Sequence, residues 1–71
     1  MNPVDLLIDL LKENSLTQLK LSEKIGVSPQ LVNDIIKYRR EITKGVAIKI
    51  GNEFGLDYLA FLKPYKLNKS A

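Results

Sequence analysis

A chain of 71 residues has room for one hydrophobic core, and its 45% apolar and 27% charged residues suit a folded domain rather than a disordered tail. With no cysteine and no histidine it has no disulfide framework, no thiolate zinc site and neither the commonest general base nor the commonest metal ligand; its net charge is +3. No apolar run approaches the ~18 residues that span a bilayer, and the opening MNPVDLLIDLL has acids where a signal peptide is basic, so a cytoplasmic helical module that works by binding is expected.

Asn2 reads as a helix N-cap with Pro3 at the first helical position, where a missing N–H costs nothing. Val4, Leu7 and Leu11, with Leu6 and Leu10, repeat at three and four residues and Ile8 broadens the stripe, so a first helix is expected over 3–13, closed by Asn14 in a left-handed conformation. Thr17 caps a second helix over 18–25, with Leu21 and Ile25 inward, Leu16 stapling its start and Gly26 supplying the positive φ that ends it. Two residues later Ser28 and Pro29 form another cap-and-proline pair, opening a third helix over 29–37. Its Val32 and Ile35 point inward, and Gln30, Asn33, Asp34 and Lys37 are available outside. A connection of three residues makes neighbouring helices cross steeply, which is a helix-turn-helix.

Thr43 caps a fourth helix over 44–54, with Ala47, Ile50 and Phe54 inward and Gly55 at its end. Gly45 and Gly51 inside it each cost up to ~1 kcal/mol against alanine. Gly51 stands four residues after Ala47, which suits close packing against another helix; Gly45 has no such reason. Asp57 caps a short fifth helix over 58–62, with Leu59 and Leu62 as core candidates and Pro64 as its stop. The domain is therefore expected over 1–64, followed by a flexible basic tail over 65–71. No strand-period segment, repeat, P-loop or calcium-loop pattern occurs.

Charge is distributed unevenly: residues 1–36 carry three lysines against five acids, and residues 37–71 carry eight Lys or Arg against three acids. The sharpest cluster is Lys37, Arg39, Arg40 and Lys44, with Lys63, Lys66 and Lys69 as a looser group. Such a field suits a polyanion, nucleic acid before an anionic membrane, although on charge alone an ordinary solvated surface fits as well.

The stretch LTQLKLSEKIGVSPQLVNDIIKYRREITKGVAIKIGNEFGLDYLAFL resembles the Cro/C1-type (XRE) helix-turn-helix regulators over residues 16–62, carried by Thr17-Gln18, Leu21, Ser22, Ile25, Gly26, Val27, Ser28, Val32 and Ile35. Within that family the SPQ-x-V-x-D-I segment and the basic loop after it look most like HigA-type antitoxins, with small phage Cro-like repressors as the nearest rival. Two positions depart from the pattern. Tyr38 stands where glycine is usual, so the turn there is different or strained, or the ring lies along a DNA backbone. Ser22 stands for alanine, and its hydroxyl is expected to bond the carbonyl four residues earlier.

The resemblance implies an all-α, five-helix lambda-repressor-like domain and a sequence-specific regulator of double-stranded DNA, a repressor, with helix 3 in the major groove. Base contacts then fall to Pro29, Gln30, Leu31, Asn33 and Asp34. The Gln30 amide offers the donor and acceptor that adenine requires, and Asn33 can do likewise; Pro29 and Leu31 suit a thymine methyl. Asp34 either accepts from cytosine N4 or, near phosphates, repels DNA or pairs with Lys37 or Arg39. Phosphate contacts fall to Gln18, Ser28, Lys37, Tyr38, Arg39, Arg40, Thr43 and Lys44. Without the motif, Gln30, Asn33 and the arginines are ordinary solvated residues. A homodimer is expected through Leu56, Tyr58, Phe61, Leu62 and Tyr65, which exceed what a short helix buries. The alternative is an antitoxin or anti-repressor whose main contact is a toxin or repressor protein. No metal, cofactor, small-molecule ligand or membrane partner is expected, and scattered carboxylates leave little from which to build an enzyme.

Overall fold

The computed structural model describes residues 1–68. Among these, four α-helices run in chain order: α1 Pro3–Glu13, α2 Gln18–Ile25, α3 Pro29–Ile36 and α4 Lys44–Phe54, followed by a 3-10 turn, Tyr58–Phe61. No strand occurs among the described residues. Each α-helix begins on a side-chain cap: Asn2 accepts from Asp5 N–H at 2.8 Å, Thr17 from Lys20 at 3.0 Å, Ser28 from Leu31 at 3.1 Å and Thr43 from Val46 at 3.4 Å. These bonds satisfy donors that a helix leaves unpaired, so each start is set locally.

Helix ends follow one geometry. One residue past α2 and α4, and two residues past α1 and α3, the chain turns left-handed and the next N–H bonds back to the last turn. Gly26 and Gly55 do so with φ +72° and +68°, a conformation glycine adopts without steric cost. At the end of α1 the left-handed residue is Ser15 (φ +53°), not Asn14 as the sequence suggests. Asn14 sits at φ −100°, ψ 5°, outside the left-handed region, and bonds its amide to the Leu10 carbonyl at 2.8 Å, with the reversal one residue on.

The helices enclose a core of Val4, Leu7 and Leu11 from α1, Leu21 and Ile25 from α2, Val32 and Ile35 from α3, and Ala47 and Ile50 from α4, closed by Ile42 and Phe61. Helix α2 packs on α3 and α4, α1 packs on α3, and the 3-10 turn packs on α1 and α4. Ser22, buried where α2 meets its neighbours, donates its hydroxyl to Leu19 O at 2.6 Å, three residues back rather than four; both carbonyls lie within reach of a serine inside a helix.

The expected fifth α-helix is instead the four-residue 3-10 turn, and this reverses its inward face. At three residues per turn, Tyr58 and Phe61 eclipse, whereas α-helical spacing had placed Leu59 and Leu62 inward. Phe61 is accordingly fully buried at 0% exposure, and Leu59 stands out at 55%. Phe61 is thus a core residue and not part of a subunit surface. The expected tail also divides. Tyr65 and Asn68 are bonded to the body, Tyr65 Oη to Ile42 N–H at 3.0 Å and Asn68 N–H to Tyr38 O at 2.7 Å, while residues 69–71, with Lys69, lie outside the described residues.

Close approach explains one glycine of α4 and not the other. A Cβ on Gly51 would lie 2.7 Å from Leu56 O and 3.2 Å from Tyr58 Cα, because the chain folds back over it; the neighbour is this turn rather than another helix. A Cβ on Gly45 meets nothing within 4 Å. Gly45→Ala is therefore expected to raise stability by about 0.5–1 kcal/mol, and Gly51→Ala to lower it by about 1–3 kcal/mol. Urea denaturation of the two variants beside wild type checks the opposite signs.

Candidate nucleic-acid interface

Helices α2 and α3 cross through the short link Gly26-Val27-Ser28, and the buried side of α3 is Val32 and Ile35. That anchoring leaves Pro29 and Gln30 exposed, with Leu31, Asn33 and Asp34 half-buried beside them. The outer side of α3 is therefore a partly exposed ridge of polar and apolar side chains carried on a packed base.

Three bonds order this face. Asn33 Nδ2 donates to Gln18 Oε1 at 3.0 Å, tying the start of α2 to the middle of α3. Among the described residues the second hydrogen of that amide and its carbonyl oxygen meet no further partner, nor do the two donors of the Gln18 amide. Gln30 Nε2 donates to Asp34 Oδ1 at 2.9 Å, and the Arg39 guanidinium lies 3.9 Å from the same oxygen. In the chain by itself Asp34 pairs with Arg39 and accepts from Gln30 as well. Half-exposed, this ion pair is worth at most about 1 kcal/mol, so it directs side chains more than it stabilises the fold.

The basic cluster follows directly. Lys37 caps α3, and Lys37, Arg39, Arg40 and Lys44 are all exposed. Thr43 caps α4 and Ser28 caps α3, so each hydroxyl stands at a helix N-terminus, where partial positive charge and free N–H groups attract anions. Gln18 opens α2 in the same way.

Tyr38 takes a left-handed turn, with φ +61°, at a steric cost of about 1–2 kcal/mol. Its N–H bonds Ile35 O at 3.0 Å and the next, Arg39 N–H, bonds Asp34 O at 2.8 Å, which closes α3 as a glycine would. Its hydroxyl turns onto α1 instead of the open face, accepting from Asn2 Nδ2 at 3.0 Å and donating to Asp5 Oδ1 at 2.9 Å. The rings of Tyr38 and Tyr65 meet edge to face, centroids 6.0 Å apart. Burial pushes the Tyr65 hydroxyl above its ordinary pKa of 10.0; its bond from Ile42 pulls it down and the Glu41 charge pushes it up. The neutral phenol is the form this fold favours, so its contribution is complete below pH 10 and is lost as pH rises through the higher folded value.

Of the expected dimer residues, Leu56 is 41% exposed and Tyr58, Leu62 and Tyr65 are half-buried; Leu59, unassigned to this surface by the sequence, is the most exposed apolar side chain nearby. The Asn33–Gln18 and Tyr38–Asn2 bonds have no sequence signal, because they join residues 15 and 36 positions apart. Among the described residues no group of three or more His, Cys, Asp or Glu is gathered as metal donors, and no helix is long and apolar enough to cross a membrane.

A helix-turn-helix family model matches residues 7–61. No curated protein sequence matches the chain significantly. Among solved structures, the Pseudomonas aeruginosa antitoxin HigA with the higBA promoter superposes with a TM-score of 0.80 and 28% identity, over 87% of this chain and 68% of that one. PA4674 of Pseudomonas aeruginosa, in complex with 18 bp of its operator DNA, gives the same TM-score of 0.80, identity of 28% and coverage of 87% and 68%. An addiction module antidote protein of the HigA family from Coxiella burnetii shares the fold, with a TM-score of 0.77 at 21% identity over 87% of this chain and 68% of that one.

Proposed function

The chain belongs to the Cro/C1-type helix-turn-helix family of DNA-binding regulators, and from that premise we propose that it is a repressor that reads duplex DNA with α3 in the major groove. The observation that carries this reading is Gln30, exposed on the first turn of a separately capped helix whose far end leads into the exposed basic residues Lys37, Arg39, Arg40 and Lys44. A helix about 10–12 Å across fits a groove about 12 Å wide, the only one whose edges distinguish all four base pairs.

In this reading Gln30 reads adenine, and Asn33 is aimed by Gln18 while retaining a donor and an acceptor. Pro29 and Leu31 meet thymine methyls, and Asp34 tunes Gln30 and Arg39. Phosphates are held by Gln18, Ser28, Lys37, Arg39, Arg40, Thr43 and Lys44. Tyr38 acts through its hold on the loop, its hydroxyl being committed to α1. Two copies pair through Leu56, Tyr58, Leu62 and Tyr65, with Leu59 in place of Phe61, so that two α3 helices meet half-sites about 34 Å apart. The protein works in the cytoplasm as a binding protein, without catalysis or cofactor.

Arg40→Ala should weaken binding to every duplex by the same factor and flatten the slope of log affinity against log salt by about one. Anisotropy titrations of one selected and one unrelated duplex, repeated across salt, check this. A sequence-dependent loss would place Arg40 at a base instead. The likeness to an antitoxin at 28% identity favours a second reading, in which a toxin protein is a further partner. A chain carrying Gln30→Ala and Arg39→Ala together then loses DNA while retaining that partner.

A further inference from the structure

Arg39 and Arg40 are exposed side chains on a short loop, and an arginine meets a phosphate at lower entropic cost when the backbone beneath it is already fixed. Here both ends of that loop are fixed by parts of the chain outside residues 7–61, the span shared with the family. Upstream, Tyr38 holds its left-handed backbone while Asn2 and Asp5 bond its hydroxyl at 3.0 and 2.9 Å and Asn68 N–H donates to its carbonyl at 2.7 Å. Downstream, Tyr65 Oη accepts from Ile42 N–H at 3.0 Å and reaches the Arg40 carbonyl at 3.5 Å, so one hydroxyl spans Glu41. The two tyrosine rings meet at 78°, joining the two holds into one. A strained non-glycine turn persists where its surroundings over-determine it, and here both termini supply those surroundings.

We propose that Tyr65 is a positioning residue for DNA binding: its hydroxyl clasps the loop between Arg40 and Ile42 and, with Tyr38, aims the Arg39 and Arg40 guanidinium groups at the phosphates beside the groove. The proposal rests on the DNA-binding reading above. Residues 64–68 then act as a strap, and Tyr38 in its left-handed turn is what the strap and the N-terminus grip. Removing the Tyr65 hydroxyl leaves the ring against Tyr38 and the core intact, but frees the arginine-bearing backbone. The loss falls on phosphate contacts and is blind to sequence.

The test is anisotropy of the full chain on labelled duplexes of about two helical turns, one selected from a random pool and one unrelated, across a range of salt. Tyr65→Phe is expected to bind both duplexes about 3- to 10-fold more weakly and to flatten the salt slope by up to about one, while helical content matches wild type and the thermal midpoint falls by roughly 4–8 °C, because the Ile42 N–H loses its partner. Amide exchange at Ile42 should quicken in the same variant with the rest of α3 and α4 unchanged. Tyr38→Phe frees only the upstream end and should give a smaller loss of the same uniform kind, an independent check if Tyr65→Phe proves unstable. Wild-type affinity and salt slope in a folded tyrosine variant, beside a weakened Arg40→Ala, would overturn the inference and leave the DNA-binding reading standing. A wild-type chain that binds neither duplex at low salt would overturn both.

Discussion

Phe61→Ala is expected to lower the free energy of unfolding by about 3–5 kcal/mol, the usual cost of removing a buried ring together with the cavity left behind. A domain of this size holds only about 5–10 kcal/mol in all, so the variant should unfold in little denaturant. The expectation follows from the 3-10 turn, which buries Phe61 completely against α1 and α4 and exposes Leu59. Leu59→Ala is the matched control and should change monomer stability by no more than about 0.5 kcal/mol. Urea denaturation at low concentration, where the monomer dominates, checks both. Were Phe61 part of a subunit surface, its removal would weaken self-association and spare the monomer, and Leu59→Ala would be the damaging change.

Gln30→Ala is expected to cost about 1–3 kcal/mol on the best duplex, roughly 5- to 150-fold in affinity, and to relax the preference at one base pair. Binding to unrelated duplex should barely change, because that binding comes from phosphates. Selection from a random pool with wild type and with the variant measures both effects. The contrast with Arg40→Ala is the informative part: one substitution changes what is preferred, the other how tightly anything is held. Identical behaviour of the two would mean that Gln30 does not face bases.

Local chemistry explains what the sequence makes legible. Asn2, Thr17, Ser28 and Thr43 cap helices whose first residues lie beside them, so the four helix starts can be read without tertiary information. The crossing of α2 and α3 follows from Gly26 and the cap-proline pair two residues on, and with it the outward turn of Gln30. The ends are harder. Asn14 and Ser15 are both small and polar, and the choice between them turns on which amide the last carbonyls recruit. The last element is harder still, because α and 3-10 spacing share the same four residues and only docking on α1 and α4 decides between them; a wrong period there exchanges Leu59 for Phe61. The bonds that join Tyr38 to Asn2 and Asn68, and Tyr65 to Ile42, have no periodicity at all. Tyr38 announces itself only as a residue out of place, and its partners stand at the two ends of the chain.

The account stands on the outer side of α3 being the surface that enters DNA, and resonance mapping of the labelled protein titrated with a selected duplex examines that surface residue by residue. The largest changes are expected at the side-chain amides of Gln30 and Asn33 and along the backbone of Gln18, Ser28 and residues 37–44, with the α1 backbone and Phe61 hardly moved. Changes centred on α1 or on Leu56 and Leu59, with the Gln30 and Asn33 amides unmoved at saturation, would contradict it.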